Sequence, residues 1–251
     1  MNQTQERHFG LIGYPLVHSY SKGFFTEKFR NEGFENCFYH NFPLQSADEI
    51  KLLVSENPGL VGLNVTIPHK EAVMNFLDEI DPLAQSIGAV NCIHIKNGRL
   101  IGHNTDVYGF SMSIKPFLEN KYERALILGT GGASKAVAYA LKQWGIPFFF
   151  VSRNPSGSNV ISYEELSAES IGHFRLIINT TPLGTYPEID DCPLLPYEAL
   201  SEGHFLYDLI YNPEMTTFLQ LGKRAGAATM NGSAMLRLQA EKSWEIWNSP
   251  L

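Results

Sequence analysis

Several short segments concentrate hydroxyls, amides and charges where a strand or helix would otherwise simply turn. In Gly13-Tyr-Pro-Leu-Val-His18-Ser19-Tyr20-Ser21, two hydroxyls flank a helix start. Serine there either caps the helix or offers neutral donors to a small anion. Asn64-Val-Thr66-Ile-Pro68-His69-Lys70 sets an amide, a hydroxyl and an ammonium after one buried run. Gly88-Ala-Val-Asn91 and Gly102-His-Asn104-Thr105-Asp106 add further amides and a carboxylate. Each segment alone also fits turn and cap chemistry. Together they crowd the ends of predicted strands, which is where α/β sheets bind ligands.

A different chemistry is written into Gly129-Thr130-Gly131-Gly132-Ala133-Ser134. Glycines between a strand and a helix let a pyrophosphate approach the backbone, and the helix N-terminus supplies unpaired N–H groups. The spacing is G-x-G-G-A rather than G-x-G-x-x-G, and a tight βα turn without ligand uses the same residues. The next strand ends in Ser152-Arg153-Asn154, with no acid before Glu164. A carboxylate there would bind a ribose 2′-hydroxyl, whereas a guanidinium pairs with a 2′-phosphate. This favours NADP over NAD, the alternative being a solvated arginine in a turn.

The elements that must position these groups follow from periodicity. Phe9–Ile12, Asn36–His40 and Leu60–Val65 read as strands; 21–31, Ala47–Ser55, Lys70–Leu77 and Pro82–Ile87 read as helical. Val90–Ile95 and Arg99–Gly102 flank Asn97-Gly98, a two-residue hairpin signal. A helical stretch covers Thr105–Leu118, and the polar Glu119–Glu123 reads as a boundary in composition. The buried-type strand Arg124–Leu128, the glycine loop, a helix to Trp144 and the strand Pro147–Val151 form a Rossmann pattern. Phe174–Asn179, Phe205–Leu209 and Ala227–Met230 continue it, and Gly232–Trp247 reads as a closing helix.

The expected fold class is therefore α/β: a mixed α/β first domain, a Rossmann-type parallel-sheet domain, and a C-terminal helix packing back on the first domain. The first domain is expected at residues 1–105 and 231–251, the second at 106–230. The chain has 251 residues, 44% of them hydrophobic and 18% charged, ample for packed cores. With 19 basic and 26 acidic side chains the formal charge is −7, and the pI is about 5.6. That balance argues against nucleic acid and anionic membranes as partners. The polar Met1–Phe9 lacks the apolar centre of a signal peptide, and Ile146–Val151 is far shorter than the ~20 residues of a membrane span. A cytoplasmic protein is expected. Cys37, Cys92 and Cys192 show no metal-ligand or disulfide spacing, so no metal is expected.

Eight motifs in order carry a resemblance. They are Gly13-x-Pro-x-x-His18-Ser-x-Ser21, Asn64-Val-Thr-x-Pro-x-Lys70, Gly88-Ala-Val-Asn91, Asn104-Thr-Asp106, Gly129-x-Gly-Gly-Ala133, Asn179-Thr-Thr-Pro-Leu-Gly184, Asp208-x-x-Tyr211-Asn-Pro and Gly232-x-x-Met-Leu-x-x-Gln239. Spread over almost the whole chain, the set resembles the shikimate dehydrogenase family. The resemblance implies an NADP-linked oxidoreductase interconverting 3-dehydroshikimate and shikimate, a step of aromatic amino acid biosynthesis. It implies that Ser19 and Ser21 bind the substrate carboxylate. Asn64, Thr66, Asn91, Tyr211 and Gln239 would contact the carboxylate or ring hydroxyls, and Lys70 and Asp106 match the catalytic pair. Gly129, Thr130, Gly131, Gly132, Ala133, Ser152, Arg153, Thr180, Leu209, Gly232 and Met235 fall where the family contacts the cofactor. A monomer or homodimer is expected.

Hydride chemistry belongs to the nicotinamide, which leaves the protein to orient a ketone and manage one proton. An ammonium such as that of Lys70 stabilises charge growing on the carbonyl oxygen and donates the proton; Asp106 would hold ammonium and hydroxyl in line. Three departures stand out, the first being a cofactor strand that ends in Ser152-Arg-Asn where many relatives have Asn-Arg-Thr. Ala234 replaces the family's second glycine near the C-terminus, so an altered backbone is expected there, and Lys22 stands where many relatives have proline. The alternatives are a quinate/shikimate dehydrogenase with relaxed NAD or NADP use, a methylenetetrahydrofolate dehydrogenase, and a non-catalytic NADP sensor. The first calls for an acid at the cofactor strand end, the second lacks the paired serines, and the third needs neither Lys70 nor Asp106.

Overall fold

The computed structural model describes residues 6–16 and 20–249, and the chain divides into two compact units. Residues up to Thr105 and from Gln239 onward form one, Asp106–Leu238 the other. From sequence the return to the first unit is expected at residue 231. The division instead falls inside the last helix, which runs unbroken from Ser233 to Asn248.

The first unit holds a six-stranded mixed sheet. In chain order its strands are β1 (Arg7–Gly13), β2 (Cys37–Pro43), β3 (Leu60–Val65), β4 (Glu79–Ile80), β5 (Cys92–Lys96) and β6 (Arg99–His103), and across the sheet they run β2-β1-β3-β5-β6-β4. β1 is parallel to β2 and β3, while β5 is antiparallel to β3 and β6. The β5–β6 hairpin closes through Asn97 and Gly98, both at positive φ (53° and 76°), the backbone that a two-residue turn between twisted strands requires.

Alternation along β1 sends Phe9 and Leu11 to one face and Ile12 to the other. Phe9 packs with Phe25 and Phe29 of α1 (Tyr20–Glu32) and with Trp247 of the last helix. Ile12 joins Leu63, Val65 and Ile50 of α2 (Ile50–Glu56). Gly62 lets the Trp247 ring lie on β3, since a Cβ there would enter the indole; Trp247 Nε1 donates to Ile93 O at 3.0 Å. Residues expected as helix over 70–77 form only a 3-10 turn at Ala72–Phe76. One buried side chain, Val73, anchors it, and so short a link between β3 and β4 favours the tighter form. Next, α3 (Pro82–Ile87) is bounded by its chemistry: Asp81 accepts from Leu83 N–H, Pro82 opens the helix, and Gly88 stops it at φ 73°.

In the second unit, α4 (Asp106–Ile114) precedes a fully parallel sheet. Its strands are β7 (Ala125–Leu128), β8 (Phe148–Ser152), β9 (Val160–Ser162), β10 (Leu176–Asn179), β11 (Phe205–Asp208) and β12 (Ala228–Met230), ordered β12-β11-β10-β7-β8-β9. The chain lays strands outward from β7 on one side, then restarts with β10 on the other, so a crevice opens between β7 and β10 at their C-terminal ends. All four residues of β7 and of β10 are buried, as central parallel strands demand. α5 (Gly132–Gln143) follows the glycine loop, α6 (Ala168–Ile171) precedes β10, α7 (Thr217–Arg224) follows β11, and α8 (Ser233–Asn248) closes the chain. The polar residues Glu119–Glu123 lie inside this unit and mark no boundary; they link α4 and the 3-10 turn Lys115–Phe117 to β7. Among the described residues no helix is long and apolar enough to cross a membrane.

Candidate functional site

Strand polarity gathers the polar segments of the first unit at one rim. β1 and β3 end there, and antiparallel β5 begins there, with Cys92 paired to His103 at the end of β6. The rim thus carries the start of α1 with Ser21, the 66–70 loop after β3, Asn91 before β5, and Asn104 and Thr105 after β6. Gly13 permits close approach here, since a Cβ would strike the Thr66 methyl.

Four of the expected substrate residues share one buried network. Tyr39 donates to Asn64 Oδ1 at 2.8 Å and is hydrogen-bonded to Ser21. Asn64 Nδ2 donates to Ser243 Oγ at 2.9 Å, and the Ser243 and Thr105 hydroxyls lie 3.2 Å apart. Asn91 Oδ1 accepts from Thr105 N–H at 2.6 Å, while Thr105 Oγ1 donates to Gln239 Oε1 at 3.4 Å. Burial holds the Tyr39 phenol well above its ordinary pKa, against the pull of Ser21, so it stays a donor. Every member of this network is neutral. Tyr39, Thr105 and Ser243 were not singled out from sequence. Thr105 lies inside the Asn104-Thr-Asp106 motif, and Ser243 lies one helical turn beyond Gln239, whose carbonyl accepts from it at 3.0 Å.

Thr66 and Lys70 stand on the neighbouring loop, both half-buried. Buried His69 fixes that loop through Leu44 O at 2.7 Å, and Val90 N–H donates to Lys70 O at 2.7 Å, tying it to the Asn91 segment. Asp106 and Tyr211 belong to the second unit, Asp106 as the buried first residue of α4 and Tyr211 just beyond β11. Ser19 lies outside the described residues.

In the second unit the glycine loop has the shape a dinucleotide needs. Gly129 holds φ 102°, and a Cβ there would press on Thr180 and Thr181. Gly131 is the residue before α5; a Cβ on it would meet nothing, so open space lies directly over the loop. The first N–H groups of α5, from Gly132 and Ala133, have no acceptor within the helix. Buried Ser134 donates to Gly131 O at 2.6 Å and pins the turn, while Thr130 stands exposed. These observations fit a pyrophosphate at this helix N-terminus.

At the end of β8, Ser152 Oγ accepts from Asn154 N–H at 3.2 Å, shaping a turn that leaves Arg153 exposed with no acid on the strand end. Across β7, Thr180 Oγ1 donates to Leu128 O at 2.6 Å, and Leu209 N–H donates to Asn179 O. Gly232 N–H donates to Ile210 O, and a Cβ on Gly232 would collide with Leu209 O. Met235 is buried one turn on. The altered backbone expected at Ala234 is absent: the residue sits in the first turn of α8, a conformation any side chain adopts, and glycine is required at Gly232 instead. Lys22 likewise lies within α1, its carbonyl accepting from Thr26 Oγ1. Among the described residues no cluster of His, Cys, Asp and Glu suits a metal ion.

Residues 11–93 match a family model described as the shikimate dehydrogenase substrate binding domain. The chain is similar to a Methanococcus maripaludis protein named shikimate dehydrogenase (NADP(+)), 38% identical over 98% of this chain and 93% of the relative. It also resembles the solved structure of Thermus thermophilus shikimate 5-dehydrogenase in complex with NADP(H) and shikimate. That likeness has a TM-score of 0.85 and 31% identity, covering 98% of this chain and 94% of the other. Corynebacterium glutamicum quinate dehydrogenase in complex with NAD aligns with the same TM-score at 26% identity, over 97% and 94% of the two chains.

Proposed function

This chain belongs to the shikimate dehydrogenase family, and we propose on that premise that it catalyses the NADP-dependent interconversion of 3-dehydroshikimate and shikimate. End-to-end likeness to relatives bearing that name carries the reading. The bare β8 end with Arg153 supports NADP over NAD and, with it, the shikimate reaction over quinate oxidation with NAD.

When bound, the nicotinamide supplies or accepts the hydride at the ring carbon. Lys70 Nζ stabilises the oxygen on that carbon and donates its proton during reduction, accepting it again in the reverse direction. Asp106 orients the ammonium and the substrate hydroxyl. Ser19 and Ser21 hold the substrate carboxylate through neutral donors, and Asn64, Thr66, Asn91, Tyr211 and Gln239 contact the carboxylate or the ring hydroxyls. Thr105, Tyr39 and Ser243 keep those amides pointed, because each amide is already fixed by a hydroxyl partner. Gly129, Thr130, Gly131, Gly132 and Ala133 take the pyrophosphate, Ser152 and Arg153 the 2′-phosphate, and Thr180, Leu209, Gly232 and Met235 the nicotinamide side. The unit up to Thr105 and from Gln239 onward thereby serves as substrate domain and Asp106–Leu238 as cofactor domain.

The experiment is a parallel assay of NADP and NAD reduction with shikimate and with quinate. Shikimate with NADP is expected to give the highest kcat/KM. Activity confined to quinate and NAD, or no activity with either substrate, overturns the proposal.

A further inference from the structure

The Asp208 carboxyl is fully enclosed at the end of β11, and the mechanism above does not use it. Its partners are three neutral donors. Oδ1 accepts from Asn179 Nδ2 and from Ile210 N–H, each at 3.0 Å, and Oδ2 accepts from Thr216 Oγ1 at 2.6 Å. Burial pushes its pKa up to about 6 despite those three bonds. Enclosing an acid this way is costly unless it organises its surroundings.

What surrounds it is one half of the crevice rim. On the β10 side, Asn179 Oδ1 accepts from Thr181 N–H at 3.0 Å and from Thr181 Oγ1 at 2.6 Å, which sets the Thr180–Thr181 turn against the end of β7. On the β11 side, Ile210 O accepts from Gly232 N–H, and Leu209 O closes on the bare Cα of Gly232. Thr216 caps α7 through Leu219 N–H. One carboxyl therefore joins the ends of two strands, a helix cap and the entry to α8.

The sheet order says which part of a ligand meets this half. A dinucleotide with its pyrophosphate on the glycine loop after β7 and its phosphorylated ribose at Arg153 after β8 must run its other half over the ends of β10 and β11. We propose that Asp208 is a positioning residue for the nicotinamide half of the cofactor, setting the backbone of Thr180, Leu209 and Gly232 through Asn179 and Ile210. The assignment rests on the reading of the chain as an NADP-dependent dehydrogenase.

The test compares two probes by equilibrium titration: NADPH, which spans the crevice, and adenosine 2′,5′-bisphosphate, which lacks the nicotinamide half. Asp208→Ala and, from the opposite side of the bond, Asn179→Ala are each expected to weaken NADPH about tenfold, the effect of unpairing a buried donor or acceptor. The bisphosphate should bind both variants as it binds the parent. Asp208→Asn retains an Oδ1 acceptor for Asn179 and Ile210, so it should restore NADPH binding. Equal loss of both probes, unchanged NADPH affinity, or an Asp208→Asn variant as weak as Asp208→Ala overturns the assignment. If Asp208→Ala fails to fold, Asn179→Ala decides, and failure of both to fold assigns the carboxyl to structure alone. A parent chain that binds neither probe overturns the functional reading first, before any variant is compared.

Discussion

Replacing Asp208 by asparagine isolates what it costs this fold to keep a carboxyl inside. The exchange is nearly isosteric: Oδ1 remains for Asn179 and Ile210, and the new amide faces the Thr216 hydroxyl, which can turn from donor to acceptor. Burial raises the folded pKa from 3.8 to about 6. Well below pH 3.8 the acid is protonated in both folded and unfolded chains, so its stability contribution is fully present. Between the two pKa values only the unfolded chain ionises, and stability falls as pH rises. Well above pH 6 both forms are ionised and the loss is complete, about 3 kcal/mol for a shift of this size. Within the practical window of pH 4.5 to 7.5, about 2 kcal/mol of that loss remains to be seen.

The asparagine variant has no such term, so it should gain about 2 kcal/mol on the parent between pH 4.5 and pH 7.5. In melting temperature this is a relative gain of about 4–8 °C for a chain of this length. Every other carboxylate titrates alike in both proteins and cancels in the difference, which urea unfolding at the two pH values measures directly. A parent-to-variant difference that is the same at both pH values would refute the reasoning. The three hydrogen bonds would then hold Asp208 ionised at its ordinary pKa in spite of burial.

Three further outcomes follow from the site. Lys70→Ala should lower kcat about 100- to 10,000-fold, the worth of a positioned proton donor, with NADPH affinity unchanged; near-parent turnover in a steady-state assay excludes Lys70 from the chemistry. Replacing Ser19 and Ser21 together by alanine should raise the shikimate Kd about tenfold or more and leave the NADPH Kd alone, as calorimetric titration of each ligand would report. Arg153→Ala should raise the KM for NADP about 10- to 100-fold without changing that for NAD, and an equal rise for both cofactors argues that Arg153 does not read the 2′-phosphate.

What was legible in the sequence was whatever local chemistry decides. β7 is four apolar residues ended by glycines, and the hairpin turn at Asn97-Gly98 needs only its two positive φ values. α3 is bounded by Asp81, Pro82 and Gly88 through contacts no more than a few residues away. The elements that escaped have little local signal. β4 is two residues long and β9 three, and each exists because a neighbouring strand offers an edge. The same distinction runs through the site. Lys70, Asp106 and the glycines announce themselves by type and motif. Tyr39, Thr105, Ser243 and Asp208 act by supporting other residues, and each has at least one partner outside its own segment: Asn64 meets Ser243 across 179 positions, and Asn179 meets Asp208 across 29. No window of sequence contains that pair.

The formal charge of −7 is the wrong scale on which to judge affinity for anions. The two units arrange donors for them in different ways. At the first rim the buried members (Ser21, Tyr39, Asn64, Asn91, Thr105, Gln239, Ser243) are all neutral, and on the proposed assignment hydroxyls and amides that fix one another cost little reorganisation when the substrate carboxylate arrives. At the second, helix N–H groups at Gly132 and Ala133 and an exposed guanidinium at Arg153 present real or partial positive charge. Salt screens exposed charge and hardly touches buried neutral donors. On the proposed assignment of ligands, raising ionic strength therefore weakens the hold on the 2′-phosphate at Arg153 while the hold on shikimate persists.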